Sequence, residues 1–186
     1  MASEEILDEM ELKMMKTAEV VGHEFAAIRT GRATPALVEN IMVDYYGTQT
    51  RLRQIAGIST PEPRLIVLQA WDPGAVDAME KAILKSKLGV TPVRDGRILR
   101  VPIPELSEER RKELDKVVKH MAEEGRVAIR NVRREANEHI KKLQKDGKIP
   151  EDEMVTAEKK VQDKTDEHIK EIDRLLAKKE KEIMEI

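Results

Sequence analysis

Arg126, Arg130, Arg133 and Arg134 stand at helical spacing, and Lys141 and Lys145 continue the series. At 100° per residue, Arg126, Arg130, Arg133 and Lys141 fall within about 80° of one another. From Arg126 to Lys148 there are eight basic residues against three acidic ones, Glu135, Glu138 and Asp146, in a chain whose formal net charge is −2. A guanidinium is a planar, permanently charged fork of donors that matches phosphate oxygens, so such a helix face is suited to gripping a polyanion backbone. Two readings stay open at this level: a phosphate-gripping surface, or a solvated face whose charges pair with acids on neighbouring helices. Arginine at all four central positions favours the first, and Arg29 and Arg32 are placed to extend the patch.

Other chemistries find little support. The chain has no cysteine, which removes thiol catalysis, thiolate zinc sites and disulfides, and fits a reducing, cytoplasmic location. There is no Gly-rich phosphate loop and no Gly-x-Ser-x-Gly elbow. His23-Glu24 has no second histidine four residues on, and His120, His139 and His168 lie far apart, so they read as surface or boundary histidines rather than metal ligands. The pairs Glu108-Glu109 and Glu123-Glu124 read as helix solvation, the first also complementing a helix N-terminus. No enzyme activity, cofactor or metal is expected. The few aromatics, Phe25, Tyr45, Tyr46 and Trp71, are too sparse for a sheet that stacks successive bases, and the last three read as packing residues. The first residues lack the pattern of a signal peptide and no later run reaches membrane-spanning length, so a soluble protein with no membrane partner is expected.

Three long amphipathic segments position the arginines. In the first, from Ser3 to about Arg29, apolar residues fall at Ile6, Met10, Met14, Val21, Phe25 and Ile28. In the second, from Ser107 to about Lys145, the stripe is Leu114, Val117, Met121, Ala128, Val132, Ala136, Ile140 and Leu143, with the arginines pointing outward beside it. Asp146-Gly147 stops that helix. The third starts after Pro150 and runs through Met154, Ala157, Val161, Thr165, Ile169, Ile172, Leu176 and Ile183. At 1.5 Å per residue the second helix would be roughly 58 Å long, and a helix of that length with a narrow apolar stripe needs partners. The spacing therefore predicts an elongated three-helix bundle, closed enough to suggest a monomer.

Between Gly31 and Pro104 the pattern changes to short alternating or apolar runs at Ile41–Tyr45, Leu52–Ser59, Leu65–Ala70 and Arg97–Ile103, which read as strands. Asp95-Gly96 is a hairpin signal, and Asp72-Pro73 caps a short helix with Val76, Met79 and Ile83 inward, closed by Gly89. The expected fold class is α+β: a bundle from residues 1–30 and 105–186, and an inserted α+β domain at 31–104. The chain crosses twice, near 30–32 (Thr30, Gly31, Arg32) and near 101–105 (Val101, Pro102, Ile103, Pro104, Glu105). Glycine permits unusual backbone angles at one crossing and two prolines deny helix at the other, so a two-stranded hinge is expected, with a rigid corner as the alternative.

These residues resemble a known family. Ile28-Arg29-Thr30-Gly31-Arg32-Ala33-Thr34-Pro35, Val43-Asp44-Tyr45-Tyr46-Gly47, Arg100-Val101-Pro102-Ile103-Pro104 leading to Glu108-Glu109-Arg110-Arg111, Ala128-Ile129-Arg130-Asn131-Val132-Arg133-Arg134, and Ile149-Pro150-Glu151-Asp152 are similar, in this order, to ribosome recycling factor. One departure is Gly89-Val90-Thr91-Pro92, where the family often has asparagine before the proline. The resemblance implies an L-shaped molecule of transfer-RNA-like dimensions that acts on the ribosome after termination. It implies binding to large-subunit ribosomal RNA through Arg29, Arg111, Arg130, Arg133 and Arg134; Arg32, Arg126 and Lys141, read from the basic face itself, are further candidates. It also implies a second domain that faces elongation factor G, whose GTP hydrolysis drives splitting of the subunits, and no binding of DNA or nucleotide by this chain. A coiled-coil adaptor that binds other proteins through its charged helices is the alternative.

Overall fold

A computed structural model describes residues 2–185. The order of elements is α1 (Ala2–Ala27), β1 (Met42–Tyr45), β2 (Thr48–Arg51), β3 (Ala56–Glu62), β4 (Leu65–Ala70), α2 (Val76–Lys85), β5 (Val93–Asp95), β6 (Ile98–Pro102), α3 (Glu108–Lys145) and α4 (Glu151–Met184). The chain forms two compact units. One comprises α1 up to Phe25 with Lys112–Lys181 of α3 and α4; the other comprises Ala26–Arg111 and the residues from Glu182 on. The expected α+β class, long helices with a small inserted sheet, is what the elements form.

In the helical unit, cross-helix pairs fix the directions. Glu11 meets Lys164 at 2.7 Å and Ser3 bonds Glu153, so α1 and α4 run parallel. Lys119 meets Glu180 at 3.5 Å and Lys141 meets Glu158 at 3.7 Å, so α3 runs antiparallel to α4. Buried positions recur at about eleven-residue intervals, as Ser3, Met14 and Phe25 in α1, Leu114, Gly125 and Ala136 in α3, and Ala157, His168 and Lys179 in α4. Eleven residues span about three turns, so a repeat of this length keeps one face of each long helix inward. Ser107 caps α3 by accepting from the Arg110 N–H at 3.2 Å. At its end Lys148 N–H donates to the Leu143 carbonyl and Gly147 N–H to that of Gln144, with Gly147 at φ 70°, a Schellman stop.

The seam of α3 differs from the expected stripe. Leu114, Val118, Ala122, Gly125, Ile129, Ala136 and Ile140 are buried, whereas Val117 is 45% exposed and Met121, Ala128 and Val132 are half-buried. The small residues decide this, because Ala122 and Gly125 let the backbones approach where larger side chains would not fit. A Cβ on Gly125 would lie 2.7 Å from Val21 Cγ2 and 3.1 Å from Ile172 Cδ1. The true seam lies roughly 40° closer to the arginines than the expected one. His168, read as a surface or boundary histidine, is 7% exposed and sits in the α4 seam. Both its ring nitrogens are buried without a hydrogen-bond partner, and Glu171 Oε2 lies 3.5 Å from Nδ1.

The second unit holds a four-stranded antiparallel sheet in the order β3-β4-β6-β5, and a separate β1–β2 hairpin. Alternation in β4 and β6 turns Ile66, Leu68, Leu99 and Val101 inward, in register as Ile66↔Val101 and Leu68↔Leu99. α2 covers that face with Val76, Met79 and Ile83. Two strands, β2 and β5, were not expected, and Leu52–Gln54, read as the start of a strand, is a 3-10 turn. β2 escapes pattern reading because its run Thr48-Gln49-Thr50-Arg51 is polar, and because the turn before it puts Tyr46 (φ 51°) and Gly47 (φ 80°) where an Asn-Gly pair is the usual signal. β5 is three exposed residues, leaving no hydrophobic pattern to read.

The first crossing does not use the conformational freedom of its glycine. Gly31 is not among the residues with positive φ, and a Cβ there would meet nothing within 4 Å, so glycine is not required by backbone strain. Thr30 is buried, and its Oγ1 accepts from the Arg32 N–H at 3.3 Å. Val101 and Pro102, at the second crossing, are also the last residues of β6, opposite Ile66 and Leu65. Pro102 lies past the last pairing of β5, so its missing N–H costs no ladder bond on that side. Ile103 is buried and donates to the Arg64 carbonyl at 2.8 Å.

Asp72 ties the hairpin to the cap of α2. Its Oδ1 accepts from Gly74 N–H at 2.9 Å, and its Oδ2 accepts from the hydroxyls of Tyr45 at 3.0 Å and Tyr46 at 2.9 Å. The Gly74 N–H, then the two tyrosines, hold its carboxyl below the usual aspartate value. A carboxyl lowered on folding contributes stability at neutral pH that fades as pH falls through the lowered value. Asp72→Ala is therefore expected to destabilise this unit at neutral pH, with the gap to the parent closing on acidification. Denaturant titrations followed by tyrosine fluorescence at several pH values measure it; a gap that stays constant would show that the carboxylate charge is not what holds the hairpin.

Candidate nucleic-acid interface

Within the helical unit, α3 presents its arginines beside the seam, and their partners sort them. Arg126 is committed: Nε and Nη2 donate to Asp173 Oδ1 at 2.8 and 2.6 Å, and Nη1 donates to Glu123 Oε2 at 3.0 Å. Its side chain is only 20% exposed. Burial pulls its pKa down, but Asp173 and Glu123 outweigh that and leave it raised. Arg126 is thus a strap between α3 and α4 whose charge is already answered, and the geometry withdraws it from the candidate interface. Lys141 likewise has a carboxylate, Glu158, at 3.7 Å.

Arg130 is 43% exposed and makes one bond, to Glu123 Oε1 at 3.2 Å. Hydrogen bonds from Arg126 first and Arg130 second lower the pKa of Glu123, so this one carboxylate is shared between two guanidiniums. Among the described residues, Arg133 and Arg134 meet no carboxylate. Arg133 Nη1 donates to the amide oxygen of Gln162 on α4 at 3.4 Å, and Arg134 Nη2 donates to that of Asn131. An amide oxygen takes a proton donor without cancelling its charge, so these two cations stay electrostatically available. Of the candidate arginines on α3, Arg130, Arg133 and Arg134 thus keep more of their charge unanswered than Arg126 does.

Three further candidates belong to the other unit. Arg29 is half-buried and has no carboxylate partner among the described residues. Arg32 is exposed, with Glu185 Oε2 3.9 Å away. Arg111 closes the first turn of α3; it is half-buried, and its Nε is buried without a hydrogen-bond partner. Among the described residues, no group of three or more His, Asp or Glu side chains is placed to hold a metal ion, and no helix is long and apolar enough to cross a membrane.

The family model of ribosome recycling factor matches residues 21–184. The chain belongs to the ribosome recycling factor family. Ribosome-recycling factors of Pelotomaculum thermopropionicum and Carboxydothermus hydrogenoformans are 56% and 55% identical to it. The first alignment covers 98% of both chains, the second 98% of this chain and 99% of the relative. A solution structure of the ribosome recycling factor, 45% identical, superposes with a TM-score of 0.82 over 100% of this chain and 99% of that one. A second structure is described as models for the T. thermophilus ribosome recycling factor and the E. coli elongation factor G bound to the E. coli post-termination complex. It is 48% identical, with a TM-score of 0.71 and full coverage of both chains.

In this family member the arginines are visible in the sequence, but the side chains that sort them are mostly not. Glu123 was readable, since it stands three residues before Arg126 and seven before Arg130 and shares their face. Asp173 and Gln162 were not, because a helical period sets a face but carries no information on which residue of α4 lies opposite which residue of α3.

Proposed function

We propose that the chain promotes ribosome recycling after translation termination, binding the post-termination ribosome through large-subunit ribosomal RNA. Together with elongation factor G and GTP it promotes splitting into subunits and release from mRNA, without catalysing a reaction itself and acting in the cytoplasm. Family membership supports this reading, as does the relative, 48% identical over the whole chain, described in a post-termination complex with elongation factor G. The observation that carries the RNA contact is the trio Arg130, Arg133 and Arg134, of which two are held by neutral amides and keep their charge uncancelled. Arg29, Arg111 and Arg32, which belong to the other unit, are proposed as RNA contacts in their own right.

Co-sedimentation with large ribosomal subunits across a salt series tests the contact. Each phosphate neutralised releases counterions, so removing one contact lowers the steepness of the log affinity against log salt plot by about one. Arg133→Ala is expected to melt like the parent, weaken binding and flatten the salt dependence by that amount. Parental affinity together with parental steepness would remove Arg133 from the contact.

The same reading includes a joint at Thr30, Gly31 and Arg32 and at Pro102, Pro104 and Glu105. Because a Cβ at residue 31 meets nothing, Gly31→Val should leave melting unchanged while slowing subunit splitting more than it weakens binding. Equal losses in splitting and binding would favour a fixed corner.

A further inference from the structure

A guanidinium that must accept an incoming phosphate faces two opposed requirements. Left alone, it samples many rotamers and few of them aim at the ligand; tied to a carboxylate, it is aimed but already neutralised. The α3 arginines show both outcomes and a third. Arg126 is tied to Asp173 and Glu123. Arg133 instead donates one N–H to the Oε1 atom of Gln162, which leaves its charge intact and its remaining donors unused by that bond. The amide of Gln162 is itself oriented: its Nε2 donates to Asp166 Oδ1 at 2.9 Å, one turn further along α4. A carboxylate can only accept here, so the nitrogen end must face Asp166 and the oxygen end must face Arg133. The negative charge is thereby held one side chain away from the guanidinium instead of against it. Asn131 makes the same kind of bond to Arg134 from within α3.

We propose that Gln162 is a positioning residue for phosphate recognition, aiming Arg133 through a neutral hydrogen bond fixed by Asp166 so that the cation is ordered yet still charged. The proposal rests on the reading that Arg133 grips ribosomal RNA. It requires an amide, and not merely a polar group, at position 162: a carboxylate would aim Arg133 equally well and silence it.

The test is binding of the full-length chain to large ribosomal subunits across a salt series, for the parent, Gln162→Glu, Arg133→Ala, the double variant and Gln162→Met. Residue 162 is exposed, so all are expected to melt together. Gln162→Glu should lower affinity roughly tenfold at low salt and flatten the salt dependence by about one unit. In the Arg133→Ala background the same change should cost much less. Gln162→Met, which frees the guanidinium without neutralising it, should weaken binding a few-fold and keep the parental steepness. Equal losses from Gln162→Glu in the two backgrounds would mean that the new charge merely repels RNA at a distance, and would overturn the positioning role while leaving Arg133 in the contact. A silent Arg133→Ala would overturn the contact at that residue and the positioning role with it.

Discussion

Arg130, Arg133 and Arg134 replaced together by alanine are expected to lower affinity for large ribosomal subunits by on the order of 10³-fold at low salt, with melting close to that of the parent. The size follows from three charge-assisted hydrogen bonds to phosphate, each contributing about 1.5 kcal/mol or more, and the salt dependence should flatten by about three units. Folding is spared because none of the three sits in the buried seam. Among the described residues the carboxylate involved is Glu123, on an exposed ion pair of the kind that contributes about 0–1 kcal/mol. Arg126→Ala is the internal control. It breaks the strap to Asp173 and Glu123, so its loss should appear in melting and not in the salt dependence. If the triple variant bound with parental affinity and steepness, the basic face of α3 would be a solvated surface and the ribosomal contact would have to lie elsewhere.

Gly125→Leu should remove about 3 kcal/mol or more from the stability of the helical unit. The first added atom already falls 2.7 Å from Val21 Cγ2 and 3.1 Å from Ile172 Cδ1, closer than carbon atoms sit in real cores, and three more carbons follow. Val21 is β-branched and has little rotamer freedom in a helix, so relief must come from moving α1 or α4. The gain in helix propensity over glycine, about 1 kcal/mol, does not offset this. Thermal melting would show a drop of roughly 10–20 °C for a unit of this size. Val21→Ala in the same chain should recover part of it, since the closer of the two contacts is then gone. A Gly125→Leu variant melting within a few degrees of the parent would mean that the helices do not meet this closely. The effect reaches the arginine face as well, because the packing of α3 on α4 is what brings Gln162 opposite Arg133.

The long helices, the small α+β insert and the α3 arginine cluster were legible in the residues alone, for a physical reason: periodicity of burial and local excess of charge are properties of a single segment. Gly147 and Asp95-Gly96 were legible likewise, since a left-handed backbone leaves a local mark in residue choice. Tertiary structure alone decided what depends on two segments at once. It chose the seam through Val118, Ala122, Gly125 and Ile129 over the neighbouring stripe through Val117, Met121 and Ala128, because close approach of backbones favours small residues that a hydrophobic count overlooks. It buried His168, whose charged neighbours in sequence mark a surface, and built β2 from a polar run that only pairing with β1 makes a strand. Above all it separated arginines that are identical in sequence terms: Arg126 answered by carboxylates, Arg133 by an amide. That distinction is set by the register of α3 against α4, which no single helix encodes.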